Sequence, residues 1–407
     1  MKSTKLKYFL GLLLIPICSF AQRLEISMEG GDLERKDSIA TFQWPQNLVN
    51  EPASEETLYA DESGKFLVRV QDGMGTMVIR SLEKTASKKV VVQKILNPSV
   101  VPAIKLNKTD DGKLRFHKGS GNVPLEYFIK ARLPRKDIDS LYLRSGYLHP
   151  IKTPSGVVVS DDYPEMHTHH HGVWYTWTKT KFENRTPDFW NMGKGAGRVE
   201  FVDLLAHWDG PVHAGFTASH RFVDMTSKPE KEVLSEKWSV HMYAVGFGKN
   251  PYNIFDLRSS QTNMTESKLE LPEYRYGGLG FRGRSEWNGK ENCFFLTSNG
   301  ERDRTKAHAT KANWCYIGGL HEGKMVGIVV MCHPDNFRSP QPMRVHPNEP
   351  FFNYAPSQGG DWSISPGETY NSKYRFVVMD GGPNVEIIER LWNDYATPVK
   401  VSVKLFE

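Results

Sequence analysis

Short runs of β-branched and aromatic residues recur along nearly the whole chain, each closed by Gly, Pro, Asn or Asp, and almost nothing between them has a helical period. Residues 127–129, 157–159, 173–177, 199–202, 238–245, 252–257, 325–331 and 374–378 carry this pattern. One stretch differs. In 384–395, Ile388, Leu391, Trp392 and Tyr395 recur at i, i+3, i+4 and i+7, which predicts a terminal helix. A parallel sheet would need crossover helices between its strands, and the sequence supplies none. The expected fold is therefore all-β, a large antiparallel β-sandwich over residues 106–407. Upstream, Phe66-Leu67-Val68-Arg69-Val70 and the runs at 77–80 and 90–93 predict a small β-sandwich-like module over 22–105, with a junction near 97–107.

Residues 1–21 read differently. Lys2, Lys5 and Lys7 precede a short apolar run at 9–17 and a small-x-small site, Ser19-Phe20-Ala21. This is the pattern of a secretory signal peptide, so a periplasmic or secreted location is expected. Cys18 raises lipidation as an alternative, but Ile17 before it is bulkier than a lipobox tolerates. No later run is long and apolar enough to cross a membrane as a helix. The formal net charge of +5 includes the three leader lysines, and without them it is +2. No basic block is interleaved with aromatics, so nucleic acid is not an expected partner. Beyond the leader, Cys293, Cys315 and Cys332 are odd in number and form no CxxC pair. A disulfide framework is not expected, and Cys315 and Cys332, in apolar strand-like runs, are expected as buried thiols.

Chemistry concentrates in one place. Four of the fourteen histidines fall within five positions, in Asp162-Tyr163-Pro164-Glu165-Met166-His167-Thr168-His169-His170-His171-Gly172-Val173-Trp174. Crowded imidazoles repel when charged and cost desolvation when buried, so packing alone does not explain them. Read as an extended segment, the stretch puts His167, His169 and His171 on one face and His170 on the other. Alternate histidines can gather a divalent metal. Here no acidic or cysteine partner stands at a diagnostic spacing and HExxH is absent. The residues therefore favour proton transfer or substrate binding by His169, His170 and His171. No metal ligand is assigned, no cofactor is expected, and a divalent metal stays as the alternative.

Other stretches offer companions. Tyr147 in Arg144-Ser145-Gly146-Tyr147 is a candidate general acid or base. Arg282 follows a glycine-rich run that lacks phosphate-loop spacing, and can hold a carboxylate or sulfate. His333, Asn336 and Arg338 follow an apolar strand, where a sheet rim often builds a site. Trp174 and Tyr354 are candidate faces for stacking on a sugar. No GxSxG nucleophile is present.

Tyr147-Leu148-His149-Pro150, Thr153-Pro154-Ser155-Gly156 and His169-His170-His171-Gly172-Val173-Trp174, with Trp314, residues 333–340 and Pro366-Gly367-Glu368, resemble a bacterial family called PmoA-like. The resemblance covers roughly residues 112–395. The name implies a methane-oxygenase subunit spanning a membrane, which the sequence contradicts. The family is distantly similar to the galactose-mutarotase-like supersandwich, which implies a carbohydrate-related role. A mutarotase's own catalytic His and Glu have no clear counterpart here. The expectation is an exported carbohydrate-active lyase or dehydratase. It would act by β-elimination on an acidic oligosaccharide or polysaccharide containing uronic acid, with or without sulfate. His169 or His171 would be the base, Tyr147 or His170 the acid, and Arg282 with Arg338 the carboxylate holders. The alternatives are a mutarotase, epimerase or glycoside hydrolase on the same scaffold, a metal-dependent hydrolase, and a non-catalytic carbohydrate-binding protein.

Overall fold

The computed structural model describes residues 23–45, 56–95, 101–119 and 121–406. The expected leader at 1–21 and the start of the junction, 97–100, lie outside the described residues.

Two eight-stranded antiparallel sheets face each other across one core. The first, here the site sheet, has the order Met343–Val345, Phe351–Tyr354, Gly278–Arg282, Val173–Thr176, Tyr147–Ile151, Asn122–Phe128, Lys113–Lys118, Ile104–Lys108. The second, with longer strands, has the order Gly197–Trp208, His213–Asp224, Lys231–Tyr243, Tyr252–Asn263, Thr369–Asp380, Lys324–Cys332, Trp314–His321, Cys293–Thr297. Alternation decides what each strand buries. From the site sheet Val173, Tyr175, Leu279, Phe281, Phe352 and Tyr354 turn inward. They meet Phe216, Trp238, Val240, Phe255, Phe376 and Val378 of the long-stranded sheet. The expected antiparallel sandwich is thus the fold, although 157–159 makes only one isolated bridge, at Val158.

The long-stranded sheet is covered on its other face as well. Ile254, Val329, Met331, Val377 and Met379 pack with Ile388 and Leu391 of the helix Val385–Ala396. Strands buried on both sides cannot alternate with polar residues, which explains the continuous apolar run Gly327-Ile328-Val329-Val330-Met331. Asn384 caps that helix by accepting from the Ile387 N–H at 3.1 Å. A second helix, Arg304–Ala307, is too short for periodicity to reveal. Asp303 caps it by accepting from the N–H groups of Thr305 and Lys306 at 2.8 and 3.1 Å.

The N-terminal module is a seven-stranded sheet that wraps its own core of Leu24, Ile26, Phe42, Trp44, Tyr59, Val68 and Met77. Its last strand comes from the far end of the chain, Lys400–Leu405, paired with Arg23–Glu29. Arg35 of this module donates to Asp394 of the terminal helix at 2.9 Å, both side chains buried. Arg69 donates to the His213 carbonyl at 3.0 Å and to the Asp209 carbonyl, which docks the module on the long-stranded sheet.

His213 lies at that junction, buried, its Nδ1 accepting from Trp208 Nε1 at 3.1 Å. Burial, with a smaller contribution from neighbouring His241, pushes its pKa well below the usual imidazole range. The unfolded chain takes up this proton from about pH 6.5 downward and the folded chain only at far lower pH. Acid therefore favours unfolding through this group. The urea midpoint should fall as pH drops from about 7 to about 5, and His213→Gln should make that fall shallower. Equal slopes in the two proteins would exclude the assignment.

Candidate functional site

The same alternation that sends Val173 and Tyr175 to the core turns Tyr147, Trp174 and Phe351 to the opposite face of the site sheet. Residues 161–172 cross this face as a tight loop. Tyr163 holds a left-handed backbone, φ 53°, unusual for an aromatic residue. Its hydroxyl donates to the carbonyls of Arg132 and Tyr142 at 2.8 and 3.0 Å, and its N–H donates to the His170 carbonyl at 3.0 Å. Between them the chain coils through the short helix Glu165–His167, and the His170 N–H donates to the His167 carbonyl at 2.8 Å. The strand begins only at Val173. Gly172 is required at the exit, since a Cβ there would sit 2.3 Å from the Leu148 carbonyl oxygen.

The extended reading of 167–171 is therefore corrected. Local N–H groups close a turn instead of waiting for a partner strand. His167 and His170, one turn apart, stack with ring centroids 4.8 Å apart and planes at 9°. His169 meets both edge-on, at 5.7 and 4.6 Å. It is half-buried, and its ring takes no hydrogen bond from the described residues. His171 turns the other way.

Beneath the loop His171 Nδ1 donates to Asp162 Oδ1 at 2.7 Å. Asp162 Oδ2 accepts from Arg132 Nη2 at 2.7 Å and from the Tyr147 hydroxyl at 3.0 Å. The Tyr147 ring stacks on His171 at 4.3 Å. Burial alone would raise the Asp162 carboxyl, but the hydrogen bond and charge of His171, the charge of His149 and the hydrogen bond from Arg132 outweigh burial and hold it below the usual range. Burial lowers His171 to about 4, with Asp162 opposing. His171 Nε2 is buried with no partner. Tyr147 is pushed far above the usual phenol range by burial and then by Asp162. Its proton is committed and its side chain fully enclosed, so the general-acid role expected for Tyr147 does not fit this geometry.

Above this layer Glu349 reaches in from far downstream. Arg282 Nη1 donates to it, and Arg282 Nη2 donates to Asn288 Oδ1 at 2.7 Å. His167 Nδ1 lies 2.9 Å from Glu349 Oε2 without the alignment of a hydrogen bond. Burial would raise Glu349, yet His167 and Arg282 bring it down to about 2. One ring nitrogen of His167, one of His170 and a Glu349 oxygen lie within 4.8 Å of one another. These are the described residues placed to hold a metal. Glu349 supplies the acidic partner that sequence spacing did not offer.

His170 also touches Trp174, Trp190 and Phe351, with centroids at 5.1, 6.2 and 4.6 Å. Trp190 in turn meets Tyr276 at 5.2 Å. Tyr276 and Tyr274 wall a cleft of about 490 Å³ that Lys179, Asp188, Asn191 and Lys194 also line.

Trp174 lies on the site face but is fully buried, without the free face that stacking on a sugar needs, and Tyr354 does not reach the site. It falls on the inward parity of its strand, its hydroxyl 3.3 Å from the Ala312, Asn313 and Val330 carbonyls. His333 packs edge-on against Tyr395 at 4.8 Å. Asn336 clasps the Lys373 backbone with two 2.8 Å bonds. Arg338 donates to the Pro356 and Gly360 carbonyls at 2.8 Å each. These three fasten turns, and with Arg282 held by Glu349 no Arg282–Arg338 clamp is assembled. Sequence reasoning missed Arg132, Asp162 and Glu349 as site members. Asp162 had a signal, nine positions before His171 across a proline turn.

Residues 117–393 match the model of a family of unknown function, DUF6807. The chain belongs to this family. Every site residue named above, from Arg132 to Glu349, falls inside the DUF6807 span, and the N-terminal module falls outside it. No curated protein matches the chain.

Asp162→Asn keeps the shape but removes the charge that Arg132 and His171 share. Breaking a buried pair this way should cost about 3 kcal/mol in urea unfolding. A loss under about 1 kcal/mol would show that the carboxylate is not holding the loop.

Proposed function

We propose that this chain is an exported carbohydrate-active enzyme that carries out β-elimination on a uronic-acid-containing saccharide, as a lyase or dehydratase. The observation that carries the reading is His169. It is a partly buried imidazole that takes no hydrogen bond from the described residues, kept neutral because burial, then His167 and His171, lower it to about 3, on the same sheet face as an aromatic and lysine-lined cleft. Tyrosine faces stack on sugar rings, and the ammonium groups of Lys179 and Lys194 suit a saccharide bearing carboxylate or sulfate. The sandwich of two eight-stranded sheets supports the likeness to galactose-mutarotase-like proteins, and the motifs at 147–156 and 169–174 the likeness to the PmoA-like family. Both likenesses are analogies of fold and sequence, and the site has to carry the chemistry.

In the proposed step His169 Nε2 or Nδ1 takes the proton on the carbon next to the carboxylate. The C–H electrons form the C=C bond, and the bond from the β-carbon to its oxygen breaks. That oxygen leaves with a proton, as water in a dehydratase or as a sugar hydroxyl in a lyase. Tyr276, the phenol facing the cleft, takes over the acid role first expected of Tyr147. Charge developing on the carboxylate is stabilised by the cations around it. The Asp162–His171–Tyr147 layer holds the loop that presents His169, and His171 acts as a positioning residue.

The test is a panel of uronate-containing oligosaccharides followed by ultraviolet absorbance of a new C=C–carboxylate and by mass. Loss of water or chain cleavage with an unsaturated end is expected. His169→Ala should lower turnover at least about 100-fold with an unchanged melting temperature. Saturated products only, or full activity in the variant, would overturn the reading.

A further inference from the structure

We infer that His167, His170 and Glu349 form a binding site for one divalent transition-metal ion of the zinc class. The inference goes beyond the elimination reading and does not depend on it.

Three donor atoms from two distant segments converge within 4.8 Å. Ligands about 2.1 Å from a tetrahedral ion stand roughly 3.4 Å apart. A small rotation of His167 or Glu349, both half-buried, closes the difference. The contacts they now make are poor substitutes for a ligand. His167 Nδ1 stands beside a carboxylate oxygen without aligning to it. His170, 4% exposed, leaves its Nδ1 with no partner at all. A buried polar nitrogen left unmatched costs about 1–3 kcal/mol, and coordination is one way to recover it.

The framework around the donors is already fixed. The turn closed by the His170 N–H sets the two imidazoles one above the other. Glu349 is aimed by Arg282 and by its own N–H, which donates to His346 Nδ1 at 3.1 Å. Such outer partners orient ligands in metal sites generally. Two imidazoles and one carboxylate suit zinc, cobalt, nickel or iron, whereas calcium and magnesium prefer oxygen alone. Three protein ligands, of which His167 and Glu349 are partly exposed and His170 is buried, leave a coordination position open, as catalytic sites do. One carboxylate does not neutralise a divalent ion, and Arg282 adds a further positive charge. The open position therefore favours an anion, either hydroxide or a ligand carboxylate.

The test uses the full chain, stripped with chelator and desalted, titrated calorimetrically with Zn²⁺ and spectroscopically with Co²⁺. One Zn²⁺ per chain and visible Co²⁺ bands are expected. His167→Gln and Glu349→Gln should each weaken binding by more than about 100-fold, whereas His321→Gln, at a distant surface pair with Glu286, should leave it unchanged. Should Glu349→Gln disturb the fold, His167→Gln decides, with its melting temperature as control. No Zn²⁺ binding by the wild type, or equal binding by His167→Gln, would overturn the site. Turnover is not read, so failure here leaves the elimination reading standing, and the reverse.

Discussion

A carboxylate taken out of water has to be matched by donors, and Asp162 is matched three times from three segments. Arg132 precedes the strand Tyr147–Ile151, Tyr147 begins it, and His171 closes the loop that crosses it. The side chain is 2% exposed, so the attraction acts where little water screens it. Losing any one donor leaves charge or polarity stranded. Residues 164–169 bury few apolar side chains, so beyond this clamp the loop is held by the Tyr163 hydroxyl and by its own N–H groups. With His171 drawn down to Asp162, the preceding residue has to face away. His170 therefore meets Trp174 and Phe351, and His167 stacks over it. The upper cluster is a consequence of the lower clamp.

The sandwich was legible because two periods do not overlap. Strand alternation, glycine and proline punctuation and one 3.6-period stretch separate cleanly, and the helix appeared where the pattern implied, with Asn384 as its cap. The parity of a strand was less legible at its ends. Phe351 and Tyr354 are both aromatic, and only register tells that one faces the site and the other the core. The histidine turn misled for a physical reason. A run of imidazoles has no apolar period, so nothing in it distinguishes alternation from coiling. Glu349 had no local signal, since the sheet order that brings Phe351–Tyr354 two strands from Val173–Thr176 is a property of topology. His333, Asn336 and Arg338 looked like a rim because polar residues after an apolar strand do the same thing in a site and in a fastened turn.

The core also carries polar ties that hydrophobic pattern does not announce. The Tyr127 hydroxyl lies 2.5 Å from His220 Nε2, and His220 Nδ1 lies 2.9 Å from Glu236 Oε2. Glu236 Oε1 accepts from Ser259 and Gln261 at 2.6 and 2.8 Å, and Gln261 Oε1 accepts from Trp177 Nε1 at 2.7 Å. Tyr127 and Trp177 belong to the site-sheet side, and the others to the long-stranded sheet. A network with these partners is satisfied in one register of the two sheets and broken in a shifted one. Hydrophobic contacts alone tolerate such a shift more easily. The polar ties therefore fix the platform on which the Asp162 clamp is built.

The balance of charge then bears on what the outer face can accept. The two carboxylates that touch the histidines are already engaged, Asp162 with Arg132 and His171, Glu349 with Arg282 and His167. The cleft beyond Tyr276 has Lys179, Lys181 and Lys194 against the single Asp188. An anionic ligand entering there competes with Asp188 for Lys194, which lies 3.5 Å from that carboxylate, but meets Lys179, whose hydrogen bond is to the Glu273 carbonyl at 3.1 Å. A neutral sugar meets the same aromatic walls but gains nothing from the lysines. A divalent ion on His167, His170 and Glu349 would push the difference further in the same direction, because its field falls on whatever fills its open position. Proton abstraction next to a carboxylate becomes easier under such a field, since the charge that develops is delocalised onto oxygens facing cations. Under the proposed function, the inferred metal site, the lysine-lined cleft and His169 would all act on the same part of the ligand, the carboxylate of an acidic saccharide.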